Sequence, residues 1–191
     1  MTRTPVPLLA AALLATLLSA TPRPANAAWP HDPNNGNVAL CTATGNQQSP
    51  TIVPDGAGGA FVTWYDYRSG TTNADIYVQR ISAAGATLWT ADGVTLCTAT
   101  GHQYYPTIVA DGAGGAIVTW MDYRNGTNYD IYAQRISAAG APLWTADGVA
   151  LCTTAGNQLF TTIASDADGP RCGSRQGEPR FGTSECGESG I

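Results

Sequence analysis

The chain has 191 residues and carries nine basic side chains, all arginine, against fourteen acidic ones, for a formal charge of −5. If an N-terminal leader containing Arg3 and Arg23 is removed, seven arginines face fourteen acids, a formal −7. That balance excludes a basic stripe able to neutralise a nucleic-acid backbone.

Taken from the start, residues 1–27 read as an export signal. Arg3 supplies the positive start, Val6 to Ala20 is an apolar run, and Ala25-Asn26-Ala27 is a small-x-small cleavage site. The run is short for a bilayer span and no later stretch could serve as one, so the mature chain is expected to have no membrane span. The expected location is secreted, extracellular or on the cell surface, with the periplasm as the other compartment. Residues 28–40 read as the closing strand of a preceding repeat, because Gly36-Asn-Val38-Ala-Leu40 matches Gly93-Val94-Thr-Leu96 and Gly148-Val149-Ala-Leu151.

Two near copies follow, over residues 41–96 and 97–151, and a partial third over 152–169. Cys41, Cys97 and Cys152 mark the starts, 56 and then 55 positions apart. A period of this size signals stacked supersecondary units. Within the first copy, Pro50 to Val53 is a short strand and Asp55-Gly-Ala-Gly-Gly59 is a glycine-rich turn. Ala60 to Tyr65 is a second strand, with Ala60, Val62 and Trp64 on one side and Phe61, Thr63 and Tyr65 on the other. Asp66 to Asn73 is a polar loop, Asp75 to Ser82 a third strand, and either Thr87 to Trp89 or Val94 to Leu96 a fourth. Nothing after the leader has helical periodicity. The expected fold class is all-β, with tandem four-stranded antiparallel blades of a β-propeller, about two and a half repeats and therefore incomplete. A β-sandwich is the alternative, but its strands occupy unlike positions and have no reason to repeat.

After Gly169 the repeat stops. Residues 170–191 hold all three Glu of the chain, Glu178, Glu185 and Glu188, and have few apolar side chains. They read as a disordered non-repeat tail arising from a lost reading frame or a cut gene, with a genuine flexible C-terminal tail as the alternative. Cys172 and Cys186 lie there. The three repeat cysteines are separated by one whole unit each, so unpaired thiols are the expected state.

Repeated polar residues supply the candidate sites. Asp66 and Arg68, with Asp122 and Arg124, either present a sugar or acidic ligand site on each blade or tie the loop to a neighbouring blade by charge-assisted hydrogen bonds. Asp75 and Arg80, with Asp130 and Arg135, invite the same choice. Trp89 and Trp144 lie near an edge and are the aromatic binding candidates, whereas Trp64 and Trp120 alternate along a strand and belong in the packing. One Asp per glycine turn is too few for calcium, and His31 and His102 occupy non-equivalent positions. No catalytic residue, metal ligand or cofactor is implied.

The words Pro50 to Arg68 with Asp75 to Arg80, and Pro106 to Arg124 with Asp130 to Arg135, resemble the blades of bacterial exported propeller proteins. Those repeats read roughly P-x-I-x-x-D-G-x-G-G-x-x-V-x-W-x-D-x-R and then D-I-Y-x-Q-R. The resemblance covers about residues 38 to 169 and implies the fold, not an activity. A more distant likeness is to the Asp-box propellers of sialidases: Ser82 to Trp89 and Ser137 to Trp144 approach S-x-D-x-G-x-T-W but lack its Asp and displace its Trp.

Catalysis needs unlike groups in unlike environments, and this chain offers the same residues twice. The expectation is a non-enzymatic binding, surface-interaction or scaffold protein with a glycan or protein ligand. Two alternatives stand beside it: a lectin that completes its ring as a homo-oligomer, and a fragment of a sialidase-like enzyme.

Overall fold

A strand with packable side chains on both sides is stable only with a layer on each side. The computed structural model, which describes residues 37–164, supplies those layers from the repeats themselves. The leader, the tail, Cys172 and Cys186 lie outside the described residues.

Strands β1 (Gln47–Pro54), β2 (Ala60–Asp66), β3 (Asp75–Ile81) and β4 (Val94–Cys97) form one antiparallel sheet in the order β1-β2-β3-β4. The second copy builds the same sheet from β5 (Gln103–Ala110), β6 (Ala116–Asp122), β7 (Asp130–Ile136) and β8 (Val149–Cys152). The registers match one for one: Trp64 faces Tyr77 and Trp120 faces Tyr132 across the central pairs. The described residues include no helix, and hence none long and apolar enough to cross a membrane.

β2 and β6 are buried along their whole length, as two-sided packing requires. Phe61, Tyr65, Ile76 and Val78 of the first sheet share one core with Ala116, Val118 and Trp120 of the second. The opposite side of the first sheet, Val62, Trp64 and Tyr77, is covered in part by Leu40 and Cys41. The sheets therefore stack as blades with unlike faces meeting, the Phe61/Tyr65 side of the first against the Val118/Trp120 side of the second.

Between the two fourth-strand options, the chain uses Val94–Cys97; Thr87 makes only an isolated bridge with Ile81. The first strand is longer than its apolar run because a bulge lets it continue. Register shifts fall between Gln48 and Thr51 and between Tyr104 and Thr107. Ser49 and Tyr105 sit in that bulge with φ of 49° and 50°, just ahead of a proline that has no N–H to lose from the ladder. The glycine turn is closed by its own aspartate: Asp55 Oδ1 accepts the N–H groups of Ala57 and Gly59, both at 2.8 Å. A Cβ on Gly59 would meet the Ile81 carbonyl oxygen at 2.1 Å, so no larger residue fits there.

Residues 37–40 and 153–164 are not in strands, yet the second segment lies where a third blade's first strand would start. Gln158 N–H donates to the Tyr129 carbonyl at 2.7 Å, as Gln103 N–H does to Ala74 at 2.7 Å. Thr161 bonds Thr119 across that junction. One expectation is corrected here. Cys41 and Cys97 are free thiols, but Cys152 is disulfide-bonded. The one-unit spacing argument bears only on pairing among the three repeat cysteines.

Candidate functional site

Each repeat's second strand ends in an aspartate that is drawn inward. The side chain of Asp66 is fully enclosed; its Oδ2 accepts Trp64 Nε1–H at 2.9 Å and Arg68 Nη2–H at 2.6 Å, and its Oδ1 accepts the Arg68 N–H at 2.8 Å. Asp122 repeats this with Trp120 at 2.8 Å and Arg124 at 2.6 Å. Arg124 adds a second side-chain bond, Nε–H to Oδ1 at 2.9 Å. Burial alone would push the Asp66 carboxyl up, but the bonds from Arg68 and Trp64 and the Arg68 charge outweigh it. They hold Asp66 below the usual carboxylate range.

Both arginines stack on a tyrosine of their own sheet, and Arg124 carries its unit across the blade boundary. Arg68 lies over the Tyr77 ring at 3.7 Å and Arg124 over Tyr132 at 3.7 Å. Arg124 Nη2 also contacts Cys97 Sγ, at the end of the neighbouring sheet's β4, at 3.4 Å, and donates to the Asp147 carbonyl at 2.7 Å. Asp147 in turn accepts the Thr98 N–H at 2.8 Å. The first repeat does the same with Arg68, Cys41, Asp92 and Thr42. Asp92 and Asp147, which sequence reasoning did not single out, hold φ of 63° and 59° in a turn, one of the few places where an aspartate tolerates the left-handed region.

The other repeated pairs are also assembled, with different partners. Arg80 bonds Asp55 at 2.8 Å, and Arg135 bonds Asp111 at 2.9 Å, so these arginines pin the glycine turns rather than Asp75 and Asp130. Burial pushes the Asp75 carboxyl up, against a hydrogen bond from the Ser69 hydroxyl.

The two edge tryptophans differ. Trp89 stacks on Phe61 with centroids 5.6 Å apart, and its Nε1–H donates to the Ala138 carbonyl of the next blade at 3.2 Å. Trp144 lines an open cleft of about 370 Å3 with Thr95, Leu96, Gln134, Pro142, Ala146 and Asp147. Among the described residues no group of His, Cys, Asp or Glu is arranged to hold a metal ion.

Comparison of the chain with family models, curated proteins and solved structures returned no match. The site must therefore be read from its own chemistry.

One feature escaped sequence reasoning altogether. Aromatic side chains from all three repeats gather at the strand-start ends of the blade junctions. Tyr67 and Tyr104 share a hydroxyl–hydroxyl bond at 2.9 Å, His102 stacks on Tyr104 at 5.0 Å, and Tyr104 is 6.2 Å from Tyr129. Tyr105 lies 5.6 Å from Phe160, and both are exposed, at 44% and 69%. No periodicity marks this cluster, because most of its members stand where the copies differ: Asn46, Gln48, Ser49 and Ala74 of the first copy become His102, Tyr104, Tyr105 and Tyr129.

Proposed function

We infer that the protein is an exported, non-catalytic interaction module of the propeller type. The observation that supports this most is the duplicated ionic unit. Asp66–Arg68 and Asp122–Arg124 have equivalent partners and the same enclosed carboxylate, and Arg124 reaches Cys97 of the adjacent blade. Acid–base chemistry on a glycan uses two carboxyl groups held in different states. Two copies of one enclosed ion pair offer scaffolding instead, with the exposed surfaces left for contact. The leader-like residues 1–27 support a contact outside the cell.

The deciding experiment exposes the purified chain to a panel of aryl glycosides and, separately, to arrayed glycans and proteins. Retention on an array without turnover is the expected result. Release of the aryl group by the protein, abolished by altering one of its aspartates, would refute the reading.

A second reading adds self-association. The outer side of the first sheet presents a groove lined by Val38, Leu40, Cys41, Gln47, Pro50, Val62 and Trp64. The equivalent Leu96, Cys97, Val118 and Trp120 of the second copy are buried against a neighbouring blade. Since rings take about four to eight blades, copies of the chain joining through this groove would close one. Light scattering should then give a single closed mass; a monomer or a polydisperse aggregate would exclude it.

A further inference from the structure

The geometry points to an uncharged glycan as the ligand, bound on the aromatic surface that Tyr105 and Phe160 present beside His102, Tyr104 and Tyr129. This inference rests on the interaction-module reading and names the ligand class for it.

The near identity of the two copies provides an internal control. What the blade needs is repeated: the Trp–Asp–Arg unit, the Asp turn and the buried strands. Position 49 in the first copy is Ser and its neighbour is Gln48, and the blade forms with the same register and the same bulge. The fold therefore does not require aromatic residues at 105 and 160. Their placement is also unfavourable in itself. Tyr105 has φ of 50° and Phe160 φ of 55°, in the left-handed region that bulky residues rarely adopt. Both rings also leave much of their surface in water. The left-handed φ itself belongs to the bulge, since Ser49 shares it at 49°. What is particular to 105 and 160 is a bulky aromatic ring left exposed at that position, and exposed apolar area of this kind marks a contact surface.

The chemistry of the surface selects the ligand. Tyr105 and Phe160 are tilted by 49° with ring centroids 5.6 Å apart, and both are exposed. Tyr104 lies 6.0 Å from Tyr105, and Tyr129 meets Tyr123 at 5.0 Å. A pyranose presents C–H bonds on its faces and hydroxyls around its rim. The C–H bonds suit the negative faces of aromatic rings, and the rim suits tyrosine hydroxyls and an imidazole. Among the described residues the arginine–ring contacts involve Phe61, Tyr77 and Tyr132, not these rings. Among the described residues, then, no cation lies over this surface to recruit an acidic sugar.

The test is native electrophoresis of the full chain in gels cast with neutral polysaccharides: hydroxyethylcellulose, xyloglucan, galactomannan and soluble starch. At least one should retard the protein. The double variant Tyr105→Ser/Phe160→Ser copies the residue of the first repeat, so it should fold with an unchanged circular dichroism spectrum. It should weaken the interaction about tenfold or more, the loss of roughly one stacking contact or two. Tyr105→Phe should retain binding, and Ile52→Ser, at an exposed apolar site elsewhere, should not alter it. No retardation by any of the polymers, or equal retardation of the double variant, overturns the inference and leaves the module reading standing. Shortening of a polymer by the protein, read by viscometry, would instead sink the non-catalytic reading.

Discussion

Trp89 of the first blade lies directly over Gly140 of the second. A Cβ at Gly140 would come within 2.8 Å of the indole ring, and the indole N–H bonds Ala138 two residues earlier. The hairpin of one blade thus serves as the floor for the tryptophan of another. Gly140 also has φ of 82°, so a side chain there meets both backbone strain and a ring that must move.

Gly140→Ala should therefore cost more than the backbone term of about 1–2 kcal/mol for a left-handed alanine. Gly126 provides the control, since it has φ of 72° and nothing within 4 Å of its Cβ position. In urea unfolding, Gly126→Ala should lose only the backbone term and Gly140→Ala clearly more. With Trp89→Ala in the background, the excess at Gly140 should vanish. Equal losses at the two glycines would show that Trp89 does not hold the junction.

Asp122 is enclosed with Arg124 and Trp120, so removing its charge strands a guanidinium at the blade boundary. Asp122→Ala should destabilise by about 3–5 kcal/mol, as expected when one partner of a buried pair is deleted. Replacing both partners, Asp122→Leu with Arg124→Met, should recover part of that loss. The measure is chemical denaturation followed by tryptophan fluorescence. A double variant less stable than Asp122→Ala alone would mean the arginine contributes mainly through Tyr132 and Cys97.

Much of this architecture can be read from the words of the repeat. β2 and β6 are visible because alternation places packable residues on both sides, and two-sided burial has few solutions besides stacked sheets. The turn at Asp55 is visible because three of its four following residues are glycine. The bulge at Ser49 and Tyr105 is not, since proline ahead of a β-branched run suggests a strand beginning there rather than one passing through. The pairing of Arg80 with Asp55 is hidden by sequence distance, because the nearer Asp75 is the obvious partner until the register is known. The aromatic surface is hidden for the opposite reason to the fold: it lies where the copies disagree, and periodicity reports only agreement.

Acid should act on the glycine turns and the ionic unit together. Burial raises the Asp55 and Asp111 carboxyls, but the N–H groups of Ala57 and Ala113 and the bonds from Arg80 and Arg135 more than reverse it, and Asp66 is likewise depressed. A carboxyl depressed in the folded state contributes its full stability above the unfolded value, near 4, and loses it as pH falls through the lower folded value. Asp75 is raised by burial and acts in the opposite sense: it favours the fold at low pH and loses that contribution as pH rises through its folded value. With four depressed groups, the fourth being Asp92 held down by the Thr42 N–H, against one raised, stability should hold from neutrality to about pH 5 and fall steeply below about pH 4. Thermal midpoints across that range check it. A midpoint that rises on acidification would show that Asp75 outweighs the others.

Thiol reactivity offers a site-by-site measure of blade stacking. Cys97 is fully buried between the blades, and desolvation with the nearby Asp122 charge pushes its thiol far up, against the N–H of Ala99 and the Arg124 charge. Cys41 occupies the same position on the first sheet but is only half-buried, and its thiol is raised by burial as well. Because the thiolate is the reactive form, both should alkylate slowly, and Cys41 well before Cys97. Iodoacetamide labelling followed by peptide mass analysis gives the order. Cys97 should react only at the rate at which the blades separate, so its labelling should accelerate in Gly140→Ala and Asp122→Ala, which loosen the same junction. Cys152, held in a disulfide, should label only after reduction. Equal rates at Cys41 and Cys97 in the unaltered protein would mean that the junction between the two sheets opens as readily as the outer face of the first.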